Sequence, residues 1–342
     1  MKPIFMTYTR GDLINLAVLL IVGVVIIPMT VSSGYWYTSI LIPWLCLALA
    51  TIGQQIIMGY TGQLALGAAG FMAAGAFACF NLILRVPGIP FVGALLISGL
   101  IAAAFGILFG LPSLRVRGIY LMVATLASQF FIIWMIDKFG WFKNYDSSGI
   151  ITAQDIVIMG KPFTSPIEMY LVIVAVVTPM TLIAMNMARG STGRNWMSVR
   201  DMDIAAEIIG VNPLKAKLSA FAISSFFVGI SGALYFSVYL GAVEVGEVFG
   251  INKSFLVLFM IIIGGLGSVF GSFAGAAFLV LLPVLLKNVL VGYFGWQTDV
   301  AAHLEFMIIG GLIVWFLIVE PHGLAQLWRL GKEKLRTWPF PY

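Results

Sequence analysis

Apolar runs of membrane-spanning length alternate with short polar connections along almost the whole chain. They fall at Leu13–Val31, Thr38–Met58, Leu64–Leu84, Pro90–Leu111, Ile119–Ile136, Ile167–Met187, Leu218–Ala242, Ser254–Gly264, Val269–Leu286 and His303–Val319. A helix needs about 20 apolar residues to cross a bilayer. The pattern therefore predicts an all-α, polytopic membrane protein of eight to ten transmembrane helices, one membrane domain over residues 1–342. The first run follows Lys2 and Arg10 and imitates a signal peptide, with small residues at Val31–Gly34. It is longer than the roughly 7–15 residues of a signal core, and it reads as a retained first helix.

Two connections break the usual pattern. Gly59–Gly70 (GYTGQLALGAAG) and Gly264–Ala276 (GGLGSVFGSFAGA) are rich in glycine and carry no charge, whereas a cytoplasmic turn collects Lys or Arg. Uncharged, glycine-interrupted apolar sequence predicts broken or re-entrant helices, which are tolerated where protein or a watery cavity surrounds them. Close helix packing through small residues is the alternative. Re-entry would lower the span count towards eight. The two pieces lie in opposite halves of the chain, a weak hint of an internal repeat.

One connection is strongly polar. Between Arg189 and Lys217 stand Arg189, Arg194, Arg200, Asp201, Asp203, Glu207, Lys215 and Lys217, in a chain where only 10% of residues are charged. Within this island RDMDIAAEIIG reads as a short helix, capped by Asp201 or Asp203, closed by Gly210 and followed by Pro213. A short rigid helix held between two spans can enter a groove on a soluble partner and transmit force to both spans; an ordinary amphipathic surface turn is the alternative.

Composition narrows the function. The hydrophobic share is 61%, with a mean hydropathy of +1.04, against about 45–50% for a soluble domain. The net charge of +5 is spread over the ends of apolar runs, which argues against nucleic acid. Lys2/Arg10, Arg115/Arg117, the island and Arg329/Lys332/Lys334/Arg336 fall on one side, and both termini are expected in the cytoplasm. The opposite loop Asp137–Pro166 balances three lysines with three aspartates. Cys46 and Cys79 lie in apolar runs and read as buried thiols. Neither Cys nor His shows metal-ligand spacing, and no G-x-x-x-x-G-K-[ST] loop is present, so the chain should not hydrolyse ATP by itself. Paired intramembrane acids, the mark of ion coupling, are missing too; Glu168 and Glu305 fall near run ends. GISG (Gly229–Gly232) resembles an intramembrane serine-protease motif, but Ser231 lies deep in its run and His303 at the outer end of another. Polar residues able to meet a solute are Gln54, Gln55, Gln63, Thr125, Ser128 and Gln129, although bridging between helices is their commoner use.

At AAEIIGVNPLKAKLSAFAISSFFVGISGALY the chain resembles the branched-chain amino acid permeases of ABC importers, LivM type. Ala205, Ala206, Glu207 and Gly210 occupy the positions of that family's ATPase-docking loop, with Asp203 beside them. GYTGQLALGAAGFMAAGAF, GGLGSVFGSFAGA and LRVRGIYLMVATL resemble three further family stretches, so the likeness spans most of residues 59–276. YDSSGI (Tyr145–Ile150) departs from the family's usual outer segment, and Ala68 stands where a histidine is frequent. The resemblance implies a second homologous permease subunit, two cytoplasmic ATPase subunits that bind ATP and Mg, and an extracytoplasmic solute-binding protein, with no cofactor in this chain. It implies a bacterial inner-membrane location and a solute path beside the Gly-rich pieces, with Gln54, Gln63, Gly67, Gln129, Gly264, Gly267 and Ser268 as candidates. Urea or a short amide is the alternative solute. A stand-alone secondary transporter or channel is the alternative of another class.

Overall fold

The computed structural model describes residues 23, 27–30, 33–113, 119–146, 148–154, 156–158, 161–319 and 323–337. The run Leu13–Val31 is described only at residue 23 and in a helical turn at Ile27–Thr30, and Lys2, Arg10, Arg115 and Arg117 lie outside the described residues.

The described chain is helical almost throughout. Its elements are α1 (Gly34–Tyr60), α2 (Ala68–Arg85), α3 (Phe91–Ser113), α4 (Ile119–Lys138), three short strands β1 (Ile150–Thr152), β2 (Ile156–Ile158) and β3 (Lys161–Phe163), then α5 (Pro166–Arg189), α6 (Ser191–Asp201) and α7 (Asp203–Ile208). There follow α8 (Pro213–Leu240), β4 (Ala242–Glu244), α9 (Val245–Val248), α10 (Ile251–Gly264), α11 (Val269–Tyr293), α12 (Thr298–Val319) and α13 (Gly323–Thr337). Among the described residues eight helices are long and apolar enough to cross a membrane. Each corresponds to one predicted run.

Several bounds shift for physical reasons. The run predicted from Leu64 becomes helical only at Ala68, because Thr61–Gly67 is a turn followed by irregular backbone. The run predicted from Ser254 belongs to a longer candidate span, Val245–Gly264. The loop between α4 and α5 takes part in two small two-stranded ribbons: β1 pairs antiparallel with β4, and β2 with β3. The β1–β4 ribbon fastens this loop to the end of α8.

The core is built on α1, which is buried along nearly its whole length. It packs against α8, α10, α11 and α5, while α8 also packs on α2 and α3. Small residues allow this density. A methyl group on Gly232 of α8 would run into the Met72 carbonyl of α2, and one on Gly75 would run into Gly229. In a bilayer, where lipid is as apolar as leucine, such close backbone approach is what favours helix association. Buried hydroxyls on the packed helices reach carbonyls: Ser231 donates to Cys46 (2.7 Å) and Thr51 to Ala48 (2.7 Å). Ser231 is thereby committed to a helix contact, and His303 is exposed on α12, so the protease-like motif is packing. Cys46 and Cys79 are free and buried.

Candidate functional site

The polar island is two helices rather than the one expected, because Met202 is extended (φ −161°, ψ 103°) and separates α6 from α7. Neither Asp201 nor Asp203 caps α7. Met202 holds the cap position without a side-chain bond, and Asp203 instead pairs with Lys217 at the start of α8 (2.7 Å). The end of α7 is as expected. Gly210 is left-handed (φ +89°), the Val211 N–H reaches the Ala206 carbonyl (2.9 Å) and the Gly210 N–H reaches Glu207 (3.0 Å). That pair of bonds is a Schellman closure. The next helix starts at once: the Asn212 side chain accepts from the Lys215 N–H (3.0 Å), and Pro213 takes the first turn.

These bonds turn the island into a rigid platform. Trp196 of α6 is fully buried, and its indole N–H donates to Ser219 of α8 (3.0 Å); truncating a buried Trp costs about 3–5 kcal/mol. Val199 and Ala206 are buried beside it. The opposite face carries large apolar side chains in the open: Met202 (64% exposed), Ile204 (72%), Ile208 (81%) and Ile209 (73%). Ala205 and Glu207 are exposed among them. Ile204 and Ile208 are one helical turn apart and form a ridge. The sequence reading assigns docking to the small and charged residues here and leaves these isoleucines out of the docking set. The signal was present as apolar spacing inside the most charged stretch.

The first Gly-rich piece is a break beside α1. The last turn of α1, Ile56–Tyr60, widens to π-helical bonding, after which the chain turns back and climbs alongside the helix it has left. The Gln63 N–H donates to Ile57 (3.1 Å), and the Gln54 amide donates to the Ala65 carbonyl. From residue 61 to 67 burial alternates: Thr61, Gln63, Ala65 and Gly67 face inward, while Gly62 and Leu64 are exposed. At the top of this climb, Thr125 of α4 accepts from the Leu66 N–H (3.0 Å), and Ser254 of α10 accepts from the Ala69 N–H (2.8 Å). Ser254 in turn donates to Gln129 (2.6 Å). Irregular backbone at depth must have every polar group satisfied internally, and Gln54, Thr125, Ser254 and Gln129 together meet much of that demand.

The second Gly-rich piece takes the alternative form, a tight helix hairpin. Gly264 and Gly271 bring the backbones of α10 and α11 together, and Gly265 (φ +105°) and Gly267 (φ +82°) make the turn. Ser268 caps α11 by accepting from the Gly271 N–H (3.1 Å). The two pieces meet: a methyl group on Gly59 would stand 2.7 Å from the Gly267 nitrogen. Gln55 bridges them, donating to the carbonyls of Gly265 (2.9 Å) and Ser268 (3.1 Å). The Oε1 atoms of Gln55 and Gln63 are buried without a partner among the described residues, a cost of about 1–3 kcal/mol each unless a donor is supplied.

Of the candidate solute-path residues, Gly264, Gly267 and Ser268 therefore cluster at the hairpin tip. Gln63 lies on the irregular climb, and Gly67 ends it against the Thr125 carbonyl. Gln54 and Gln129 are committed to bridging. A separate cavity of about 410 Å³ between α2, α3 and α4 is lined by Phe77, Asn81, Arg85, Phe105 and Trp141 among others, and by none of these candidates.

The platform touches the first break directly. Arg200 of α6 donates from Nη1 to the Gly59 carbonyl (2.9 Å), and its methylenes lie against Gly62. Comparison with known proteins bears on this arrangement. Residues 36–317 match the family described as the permease component of a branched-chain amino acid transport system. The chain belongs to this family. The permease is 30% identical over 300 residues to the high-affinity branched-chain amino acid transport system permease protein LivM of Salmonella typhimurium, covering 81% of this chain and 67% of the relative. It is 31% identical over the same extent to its Escherichia coli K12 counterpart. No solved structure matches it significantly. The permease is thus a multi-pass membrane transporter component rather than an enzyme.

Proposed function

We propose that the chain is one membrane subunit of an ATP-driven importer for branched-chain or similar hydrophobic amino acids in a bacterial inner membrane. It pairs with a second homologous permease subunit. Two cytoplasmic ATPase subunits bind ATP and Mg, and an extracytoplasmic binding protein delivers the solute. Residues 189–217 are the coupling loop, cytoplasmic together with both termini, and the β-ribbon loop faces outward; the placement of Lys and Arg supports this orientation.

The observation that carries the reading is the exposed isoleucine ridge on an otherwise tightly anchored platform. Exposed apolar clusters on a polar loop mark protein–protein contact. In this reading Ala205, Glu207 and Gly210 lie in the docking contact, while Ala206 and Asp203 hold α7 on the spans. Closure of the ATPases pushes α7, and the Trp196 anchor passes that movement to α8. Arg200 passes it to the break at Gly59–Gly62. The hairpin tip at Gly264–Ser268 and the climb through Gln63 and Gly67 then shift along the solute path. Gln54 and Gln129 hold that path in shape.

The test is reconstitution of the purified subunits in proteoliposomes with ATP inside and binding protein outside. Uptake of leucine that depends on ATP supports the reading. Uptake of urea or a short amide instead of leucine reassigns the solute.

A further inference from the structure

Lys253 lies inside a candidate span, nine residues into Val245–Gly264, although the apolar pattern had placed it just outside its run. It is partly buried where α10 meets the end of α8. Its Nζ donates to the Tyr235 hydroxyl (2.9 Å) and lies 4.7 Å from the centre of that ring. Tyr235 is buried, and its ring lies 5.0 Å from that of Tyr239. The Tyr239 hydroxyl has no hydrogen bond among the described residues. Lys253 has no ion pair among them either: Glu244 ends β4 and Glu247 lies in α9, and neither comes within salt-bridge reach.

A cation inside an apolar candidate span and without an acid partner is expensive, and such residues mark ligand or ion pathways. An ammonium has three donors, and here the protein uses one. The Tyr239 ring lies beside that of Tyr235, and an aromatic face keeps the charge tolerable until an anion arrives. The next residue, Ser254, belongs to the network that holds the start of α2. An anion at Lys253 would therefore sit one residue from the bonds that fix the first break.

We propose that Lys253, with the hydroxyls of Tyr235 and Tyr239, binds the α-carboxylate of an amino acid entering from the outer side. This rests on the amino-acid reading above and deepens it, because it names the part of the solute that the permease itself recognises. The ammonium of Lys253 meets the carboxylate, and the tyrosine hydroxyls donate to its remaining lone pairs.

The test uses the full complex of permease and ATPase subunits, purified without binding protein, and measures binding of radiolabelled leucine. Wild type should bind leucine and be competed by valine but not by leucinamide, which lacks the carboxylate. Lys253→Met should weaken leucine binding by about tenfold or more, the order expected for one charge-assisted hydrogen bond, and Lys253→Arg should retain most of it. Should Lys253→Met fail to assemble, Lys253→Cys gives a second route. Modification with a reagent that adds an aminoethyl group should restore leucine binding, and one that adds a sulfonate should not. Equal leucine binding in wild type and Lys253→Met, or competition by leucinamide as strong as by valine, overturns the site. A wild-type complex that neither binds nor imports any branched-chain amino acid overturns the function above, and with it the solute named here.

Discussion

The isoleucine ridge can be removed without touching the fold. In Ile204→Ser/Ile208→Ser both side chains are replaced where they stand 72% and 81% exposed. Serine has a helix propensity close to that of isoleucine, so α7 keeps its local preference, and exposed substitutions of this kind usually change stability by only about 0.5 kcal/mol. The effect on docking is different. Complete burial of an isoleucine side chain is worth roughly 1.5–3 kcal/mol. About three-quarters of each is available to a partner, which gives roughly 1–2 kcal/mol per residue and about 2–4 kcal/mol for the pair. That converts to roughly 30- to 1,000-fold weaker association with the ATPase subunit. The assay is titration of labelled ATPase subunit onto the permease in nanodiscs, with thermal unfolding of the permease alone as control. Unchanged association, with the fold intact, would refute the docking role of α7. Loss of folding in the variant would refute the claim that the ridge is free.

Other outcomes follow from the same geometry. Gly210→Val forces a β-branched residue into the left-handed region; it should uncouple ATP hydrolysis from uptake or block ATPase assembly while the spans still insert, as read by membrane extraction and uptake. Gly232→Ala drives a methyl group into the α2 backbone and should destabilise the permease by about 1–3 kcal/mol, seen as an earlier thermal transition in detergent. Arg200→Gln removes the bond to the Gly59 carbonyl and should lower uptake per ATP hydrolysed, with little change in ATPase binding. The Asp146 carboxylate is held below its ordinary range by the Ser148 N–H and hydroxyl. Its contribution is complete above the unfolded value of about 3.8 and is lost as pH falls through the lower folded one. Acidification should therefore loosen the Asp146–Ser148 pairing, and hydrogen exchange in the loop between α4 and α5 of Asp146→Asn should respond less to that acidification.

The eight spans were legible because lipid demands long apolar runs, and the demand is written locally in residues such as Phe91–Pro112. Gly210 and Pro213 were legible for the same reason: their backbone preferences act within a few residues. What the pattern left open depended on distant partners. Whether Gly59–Gly70 breaks or merely packs is decided by Thr125, Ser254 and Gln54, which supply the bonds its backbone needs. The second piece had the same composition, yet it closed as a hairpin because Gly264 and Gly271 could touch. Asp203 looked like a cap from its neighbours in sequence. Its carboxylate is drawn instead to Lys217, brought near by the packing of α6 on α8. Arg200 and Gly59 are 141 residues apart, and no local signal joins them. Lys253 escaped notice because a lysine ends an apolar run by composition, whereas its partner Tyr235 is 18 residues away on α8.

Partner dependence is tested most directly by leucine uptake into liposomes of three compositions: this chain alone, the chain with its permease partner, and the full set with ATPase subunits, internal ATP and binding protein. Uptake should occur only with the full set and should stop when ATP is withheld. Leucine accumulation by the chain alone, with no ATPase present, would contradict the reading of this protein as one subunit of an ATP-driven importer.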